Sequence, residues 1–139
     1  MATRGGKGDL HGSAPDECAA ALLIIDMINA FDFEGAAAML PRALAAAHAI
    51  ASLKRRAGRA GIPVVYVNDN FGRWRSDVQS LVEHCRNGKA GPMIDLLRPE
   101  TDDYFVLKPK HSGFFSSTLE TLLRYLCAQT LIKIGRAHV

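Results

Sequence analysis

Apolar and polar residues along the chain divide it into short apolar runs and longer stretches of helical periodicity. The pattern predicts strands at 19–25, 62–67, 104–107 and from 130–132 onward, helices at 41–60, 76–85 and 117–126, and a short helical turn at 93–97. Continuous apolar runs are typical of strands that are covered on both faces of a parallel sheet. The alternation of strand and helix therefore predicts an α/β protein with a doubly wound, Rossmann-like parallel sheet, flanking helices and right-handed crossovers.

Proline, glycine and serine residues suggest where the predicted helices begin and end. Pro41 suits the first turn of the first helix, and Gly61 is a natural stop after it. Ser116 or Ser117 is a suitable N-cap for the third helix. Residues 87–103 are rich in Gly and Pro and predict a long loop, which is often functional.

The composition excludes several classes of protein. At 139 residues and 48% hydrophobic content the chain suits one domain, and residues 1–17, rich in Gly and charge, predict a disordered tail and no secretory signal. The net charge of +3 is mild. Its main cluster, residues 54–56 with Arg59, complements a helix C-terminus, so nucleic acid is not an expected partner. No membrane association is expected either, since no apolar run reaches the length of a bilayer.

Three widely spaced cysteines, Cys18, Cys85 and Cys127, predict neither a disulfide framework nor a zinc site, because they form no CxxC pair. A reduced cytoplasm is the simplest location. Cys127 follows the third predicted helix at a position where a small residue packs, so we expect a packed and inert thiol there. Cys18 precedes the first strand, and Cys85 lies on the apolar side of a helix.

A carboxylate and an ammonium follow two of the predicted strands. Asp26 ends the first apolar run, and Lys108 ends the third. On position alone, a helix cap or turn is the ordinary interpretation of Asp26, and a solvated loop is that of Lys108. If their strands are neighbours, both side chains share a cleft at the carboxyl edge, where open α/β sheets bind ligands. There the ammonium would favour a thiolate, and the carboxylate could accept the thiol proton.

Three segments together resemble the isochorismatase-like cysteine hydrolases. They read LLIIDMINAF at 22–31, VVYVNDNFGRW at 64–74 and FVLKPKHSGFFSSTL at 105–119, in the order seen in that family. The resemblance implies a catalytic set of Asp26, Lys108 and a cysteine at the start of a later helix. This set would cleave a small amide or carbamoyl C–N bond through an acyl-enzyme.

The resemblance also implies five substrate-binding residues, which are Asn29, Phe31, Ser112, Gly113 and Phe114. Asn29 would orient Asp26 and Phe31 would line the pocket, but turn capping and core packing explain these two nearly as well. The other three would form the turn after Lys108, where glycine allows close approach of the backbone and Phe114 could wall the pocket.

The segment after the second strand argues against a metal cofactor. Nicotinamidases of the family carry an Asp and two His there as metal ligands, whereas this chain has Asn68, Asp69 and Asn70 and no histidine up to Trp74. We therefore expect no metal, no other cofactor and no nicotinamidase activity. The expected partner is a small-molecule substrate, and homo-oligomerisation of the full-length protein stays open.

The end of the chain departs from the family pattern. After residues 128–132, the resemblance implies a Thr-Gly turn and a nucleophilic cysteine, but the sequence continues KIGRAHV. IGRAHV is the translation of the opening of a widely used sequencing adapter, so we hypothesise that residues 134–139 are a read-through artefact on an incomplete gene. The hydrolase domain would then cover residues 18–133 and lack its C-terminal part and its nucleophile.

Two other functions stay open. In a vinyl-ether hydrolase of the isochorismatase type, Asp26 would act as a general acid and no cysteine would be required. A non-catalytic binding domain could use the same sheet without either reaction.

Overall fold

The computed structural model describes residues 18–69, 77–108 and 118–135. Its strands are β1 (Ala20–Ile25), β2 (Val64–Asp69), β3 (Tyr104–Lys108) and β4 (Thr130–Gly135), and its helices are α1 (Ala36–Arg59), α2 (Val78–Arg86), α3 (Gly91–Leu97) and α4 (Leu119–Tyr125). The four strands form one sheet in the order β3-β2-β1-β4, and every neighbouring pair is parallel. The predicted α/β fold with a parallel sheet and flanking helices is confirmed.

Apolar side chains on the two faces of the sheet form two separate cores, because successive strand residues point to opposite faces. On one face, Leu22 and Tyr66 belong to the first core, which includes residues of α1, α2 and α3. On the other face, Leu23, Val67 and Val106 pack with α4. Both sides of β1 and β2 are therefore covered, which explains why these two strands read as continuous apolar runs, whereas β4 is largely exposed.

Helix α1 begins five residues earlier than predicted and ends where predicted. It starts after Gly35, whose φ of 81° is in the left-handed region, and it contains Pro41 inside its second turn. The predicted start at Pro41 is therefore wrong. The alanines at 36–38 are the strongest helix formers and extend the helix ahead of the proline, which removes only one backbone hydrogen bond. Gly61, with φ 72°, confirms the predicted stop.

The end of α1 also shifts β2 along the sequence. The N–H groups of Gly61 and Ile62 donate to the carbonyl oxygens of Gly58 and Ala57, at 3.2 and 2.9 Å. This is the Schellman pattern of a helix C-terminus. Ile62 is thus part of the cap, so β2 begins at residue 64 and not at the predicted 62, and it continues through two polar residues to Asp69.

The remaining helices differ from the prediction at their first residues. The N-cap of α2 is Asp77, whose side chain accepts a hydrogen bond from Ser80 N at 2.7 Å. Helix α4 begins after Thr118, which makes no side-chain capping hydrogen bond, and the predicted caps Ser116 and Ser117 lie outside the described residues. The predicted turn within 87–103 is a full short helix, α3.

Cys127 is exposed, so the prediction of a packed thiol is wrong. The residue follows α4 with φ 56°, and its N–H donates to Arg124 O at 3.0 Å while Ala128 N–H donates to Leu123 O at 3.1 Å. This is again a Schellman ending, in which the residue after the cap turns into the left-handed region and away from the helix. Cys85, in contrast, is buried in the core as predicted.

Helix α1 passes the length and composition test for a membrane span, so the prediction that no segment reaches that length is wrong. Its 24 residues owe their hydropathy largely to alanine. The helix connects β1 to β2, which pair directly and in parallel. It therefore serves as the crossover of a βαβ unit, with Ile50 and Ala51 buried in the core beneath it.

Strand β4 pairs with β1 along its whole length, up to Ile25 opposite Gly135. Gly135 has φ 116°, and a Cβ there would collide with the carbonyl oxygen of Ile25, so a glycine is required at this approach. The strand includes Ile134 and Gly135, the first two residues of the segment suspected to be an artefact. The domain boundary at residue 133 and the origin of residues 134–139 stay predictions.

Candidate active site

The carboxyl ends of β1, β2 and β3 lie at the same edge of the sheet, because the three strands are parallel. Asp26 follows β1, while Asp69 and Lys108 end β2 and β3 and stand opposite each other in register. Ligands of open α/β sheets bind outside this edge. Asp26 and Lys108, the predicted catalytic pair, therefore lie at the edge of the sheet where this fold favours a binding site.

Asp26 has an unusual backbone that is held by the neighbouring strand. Its φ is 55°, in the left-handed region that residues other than glycine seldom adopt. Its N–H donates to Val67 O at 2.9 Å, and its Oδ1 accepts a hydrogen bond from Asp69 N at 3.2 Å. Both bonds come from β2, so the orientation of the carboxylate depends on that strand.

Lys108 forms an ion pair with Asp26 through both carboxylate oxygens. Its Nζ lies 2.9 Å from Oδ1 and 3.1 Å from Oδ2. The exposed side-chain fractions are 0% for Lys108 and 7% for Asp26. The interpretation of Lys108 as a solvated loop residue is therefore wrong. The structure brings the two predicted catalytic residues into direct contact.

The strands that carry this pair, β1 and β3, are not neighbours in the sheet, although the sequence analysis considered them as adjacent. Strand β2 lies between β1 and β3, so the side chain of Lys108 crosses the end of β2 to reach Asp26. Asp69 stands directly beside Lys108 in the β2–β3 register. The long lysine side chain spans the extra strand, and the pair bridges three strands.

A buried ion pair of this kind is costly to desolvate, and a fold keeps one where geometry or chemistry needs it. The carboxylate can accept or deliver a proton, and the ammonium can stabilise a developing anion or a thiolate next to it. Together with the strained backbone of Asp26, the pair has the features expected of a reaction centre.

Asn68 is a functional candidate that sequence analysis considered only as a replaced metal ligand. It is 1% exposed, its Oδ1 accepts from Ile28 N at 3.1 Å, and its Nδ2 donates to Ile28 O at 3.0 Å and to Asp69 O at 3.1 Å. The sequence signal that could have identified Asn68 is its position, since it is an uncharged polar residue directly after an apolar run that predicts a strand. Its partner, a backbone segment forty residues away, could not be identified without the fold.

Asn29 makes the contact expected of a turn-capping residue, and Phe31 makes those expected of a core residue. The Oδ1 of Asn29 accepts a hydrogen bond from Phe31 N at 2.8 Å, as in a turn-capping residue. Phe31 has φ 54°, is buried in the first core and lies 5.6 Å from Phe33 between ring centroids. These contacts stabilise the turn between Asp26 and α1. Substrate-binding roles for both residues stay predictions.

Ser112, Gly113 and Phe114 lie outside the described residues, so their predicted substrate-binding roles stay predictions. Within the ranges that the structure describes, no group of three or more His, Cys, Asp or Glu side chains could hold a metal ion. The expectation of no cofactor likewise stays a prediction.

The three cysteines lie away from the Asp26–Lys108 pair. Cys18 and Cys127 precede β1 and β4 and so lie toward the amino edge of the sheet. Cys85 is buried in the first core, on the face opposite to Val106 and Lys108. A thiol partner for the pair would have to come from elsewhere.

The chain matches one family model and is similar to curated proteins over most of its length. Residues 20–137 match a family model described as the isochorismatase domain. The chain is 37% identical over 117 residues to the uncharacterized isochorismatase family protein YaaI of Bacillus subtilis, covering 84% of this chain and 65% of that protein. It is 31% identical over 126 residues to a probable inactive nicotinamidase of Arabidopsis thaliana, covering 83% and 64%.

Among solved structures, the chain is similar to the crystal structure of N-carbamoylsarcosine amidase from Thermoplasma acidophilum. The TM-score is 0.62 at 29% sequence identity, and the match covers 85% of this chain and 68% of that one. The chain spans just under two thirds of the length of the two curated relatives, 65% and 64%.

Proposed function

This chain belongs to the isochorismatase family, and on that premise we propose that it is part of a cysteine hydrolase that cleaves a small amide or carbamoyl C–N bond. The observation that carries the proposal is the buried Asp26–Lys108 pair at the carboxyl edge of the sheet. Support for the bond type comes from the amidase among the structural neighbours, whose substrate is an N-carbamoyl compound by its name.

In the proposed reaction, the nucleophile is a cysteine of the whole protein that is not among the three cysteines of this chain. Asp26 accepts the thiol proton, and the ammonium of Lys108 stabilises the thiolate. The sulfur attacks the carbonyl carbon and a C–S bond forms. The C–N bond then breaks, and the nitrogen leaves with the proton that Asp26 returns to it.

The second half of the reaction releases the acid. Water attacks the thioester carbon while Asp26 takes one of its protons. The C–O bond forms, the C–S bond breaks, and the sulfur recovers the proton from Asp26. The net change is addition of one water across the C–N bond, and no cofactor is consumed.

We propose that the substrate is small and contacts the turn after β1 and the segment after β3. Asn29, Phe31, Ser112, Gly113 and Phe114 are the proposed contacts, the first two through the turn that they stabilise. Three free cysteines and the proposed thiolate are compatible with a reducing cytoplasm, which we propose as the location. A homo-oligomer of the full-length protein also stays a proposal.

A vinyl-ether hydrolase is the second candidate function. Its supporting observation is that the Asp26–Lys108 pair is in place without a thiol beside it among the described cysteines. In this reaction Asp26 would protonate the ether substrate as a general acid, and water would complete the cleavage. The products would include pyruvate and no ammonia.

A non-catalytic binding domain is the third candidate, supported by a relative whose name describes it as probably inactive. Such a protein would keep the fold and the ion pair but would release no product from any substrate of the first two classes.

The test is an assay of the intact gene product against small amides, N-carbamoyl compounds and isochorismate, with ammonia and pyruvate both measured. We expect ammonia release, and we expect Asp26→Asn to lower kcat by about 10³-fold or more. Asp103→Asn is the matched control, since it disrupts another buried lysine pair outside the site. Pyruvate release would favour the second candidate, and no product from any compound would favour the third.

A further inference from the structure

We propose that Asn68 is a positioning residue, whose side-chain amide holds the turn after β1 so that Asp26 meets Lys108. Its catalytic meaning rests on the proposed function, since Asp26 and Lys108 are the reacting groups there. The effect of Asn68 on the contact between Asp26 and Lys108 does not depend on that function.

The backbone ladder between β1 and β2 stops at Asp26. The last bond of the ladder runs from Asp26 N to Val67 O at 2.9 Å. A left-handed residue then turns the chain out of the extended direction, so the next residues leave the reach of the β2 backbone. On the C-terminal side of Asp26, Met27 and Ile28 pack in the core, and any hydrogen bonding there has to come from a side chain.

The side chain of Asn68 provides this hydrogen bonding. Its Oδ1 accepts from Ile28 N at 3.1 Å, and its Nδ2 donates to Ile28 O at 3.0 Å. One planar amide therefore pairs with both backbone groups of one residue, as an adjacent strand would. Val67 and Asn68 are thus hydrogen-bonded to the turn on both sides of Met27, at Asp26 and at Ile28.

The chemistry of this position selects asparagine. The amide offers a donor and an acceptor on one rigid group, whereas Asp only accepts, Ser offers one hydroxyl and Leu offers neither. A third bond, from Nδ2 to Asp69 O at 3.1 Å, fixes the amide orientation. Because Asn68 is 1% exposed, water has little access to replace any of these bonds.

The test measures the reactivity of Lys108 with acetic anhydride, relative to that of Lys54, by mass spectrometry of the folded protein. Lys54 is the internal reference because it is also paired with a buried aspartate. In Asn68→Leu, which keeps the branching of the side chain but removes both bonds to Ile28, we expect the Lys108/Lys54 reactivity ratio to rise about tenfold or more. A merely structural role would raise both reactivities together and leave the ratio unchanged.

Val65→Ala is the matched control. It removes buried apolar atoms from β2 in the core on the face of α4, opposite to the core that holds the turn after Asp26. Should Asn68→Leu not fold, Asn68→Ser retains one hydroxyl for one of the two Ile28 groups, and we expect a smaller rise. An unchanged ratio in the folded Asn68 variant, or an equal rise in Val65→Ala, overturns the inference.

The hydrolase assay separates this inference from the proposed function. In an active enzyme, Asn68→Leu is expected to lower kcat and leave KM near the wild-type value, because substrate contacts are unchanged. A raised reactivity ratio in a protein that hydrolyses nothing overturns the proposed function and leaves the positioning of Asp26 standing. An unchanged ratio in an active hydrolase overturns the positioning role alone.

Discussion

Two lysine–aspartate pairs are largely buried in the part of the chain that the structure describes, and they differ in where they lie and in what holds them. Lys108 Nζ is 2.9 Å from Asp26 Oδ1, and Lys54 Nζ is 2.6 Å from Asp103 Oδ2. The exposed side-chain fractions are 0% and 7% for the first pair and 11% and 9% for the second. Distance therefore does not distinguish the two pairs, and burial differs mainly at the lysines.

The Lys54–Asp103 pair has a local structural explanation. Asp103 Oδ2 also accepts from Glu100 N at 2.7 Å, which closes the turn before β3. Lys54 also donates to Arg98 O at 3.3 Å and lies 5.2 Å from the centroid of the Tyr66 ring. The pair thus fastens α1 to the segment between α3 and β3.

The Asp26–Lys108 pair has no such local explanation. Asp26 adopts a left-handed backbone, whereas Asp103 is not among the residues with positive φ. The support for Asp26 comes from β2, in a different part of the sequence. Backbone strain and a place at the carboxyl edge, more than ion pairing, mark the pair as a candidate for chemistry.

The largest expected effect on stability comes from breaking the first pair. Lys108→Met leaves the carboxylate of Asp26 buried without its cation and should lower the free energy of unfolding by about 3–5 kcal/mol. The double variant Lys108→Met/Asp26→Asn should recover part of that loss. Urea unfolding of the two single variants and the double variant measures the coupling.

The matched cycle with Lys54→Met and Asp103→Asn should give a smaller loss, about 1–3 kcal/mol per single variant, since these side chains are partly open to water. Equal coupling energies in the two cycles would contradict the distinction between the pairs.

A smaller effect is expected at Tyr66, beside the second pair. Burial, followed by the charges of Asp103 and Glu100, raises the pKa of the Tyr66 hydroxyl far above its ordinary range. A raised pKa in the folded state means that this contribution to stability is complete below about pH 10 and is lost as the pH rises further, because the unfolded phenol ionises first.

Tyr66→Phe should cost about 1 kcal/mol at pH 7, from the lost bond to Leu97 O, and should flatten the fall in stability above pH 10. Urea unfolding between pH 8 and about 11 compares the two proteins. Parallel curves would show that the phenol is not responsible.

The smallest effect is expected at Asp77, an exposed carboxylate that caps α2 through a hydrogen bond from Ser80 N. The backbone N–H of Ser80, followed by its hydroxyl, lowers the pKa of Asp77. The cap therefore contributes stability above the ordinary carboxyl pKa and loses it as the pH falls through the lowered value. Asp77→Asn keeps the acceptor without the titration, so its stability should depend less on pH between about 2 and 5. If the stability of Asp77→Asn falls as steeply with decreasing pH as that of the wild-type protein, this account is wrong.

The sequence was sufficient for the order and type of the elements, since apolar runs and helical periodicity are local. It also identified Asp26 and Lys108 as candidates, because each follows a strand within a segment that resembles the family. It failed at Pro41, where the propensity of the preceding alanines outweighed one missing bond. It failed at Cys127, where the helix ending turns the thiol outward.

The order of the strands could not be obtained from the pattern, because parallel pairing depends on contacts between distant segments. The sheet order places β2 between the strands of Asp26 and Lys108, and this gives Asn68 its part in the site. Local periodicity thus determined which segments are strands and where polar residues end them. Tertiary structure decided which of those ends meet, because hydrogen bonds between strands and the packing of helices on the sheet join residues far apart in the chain.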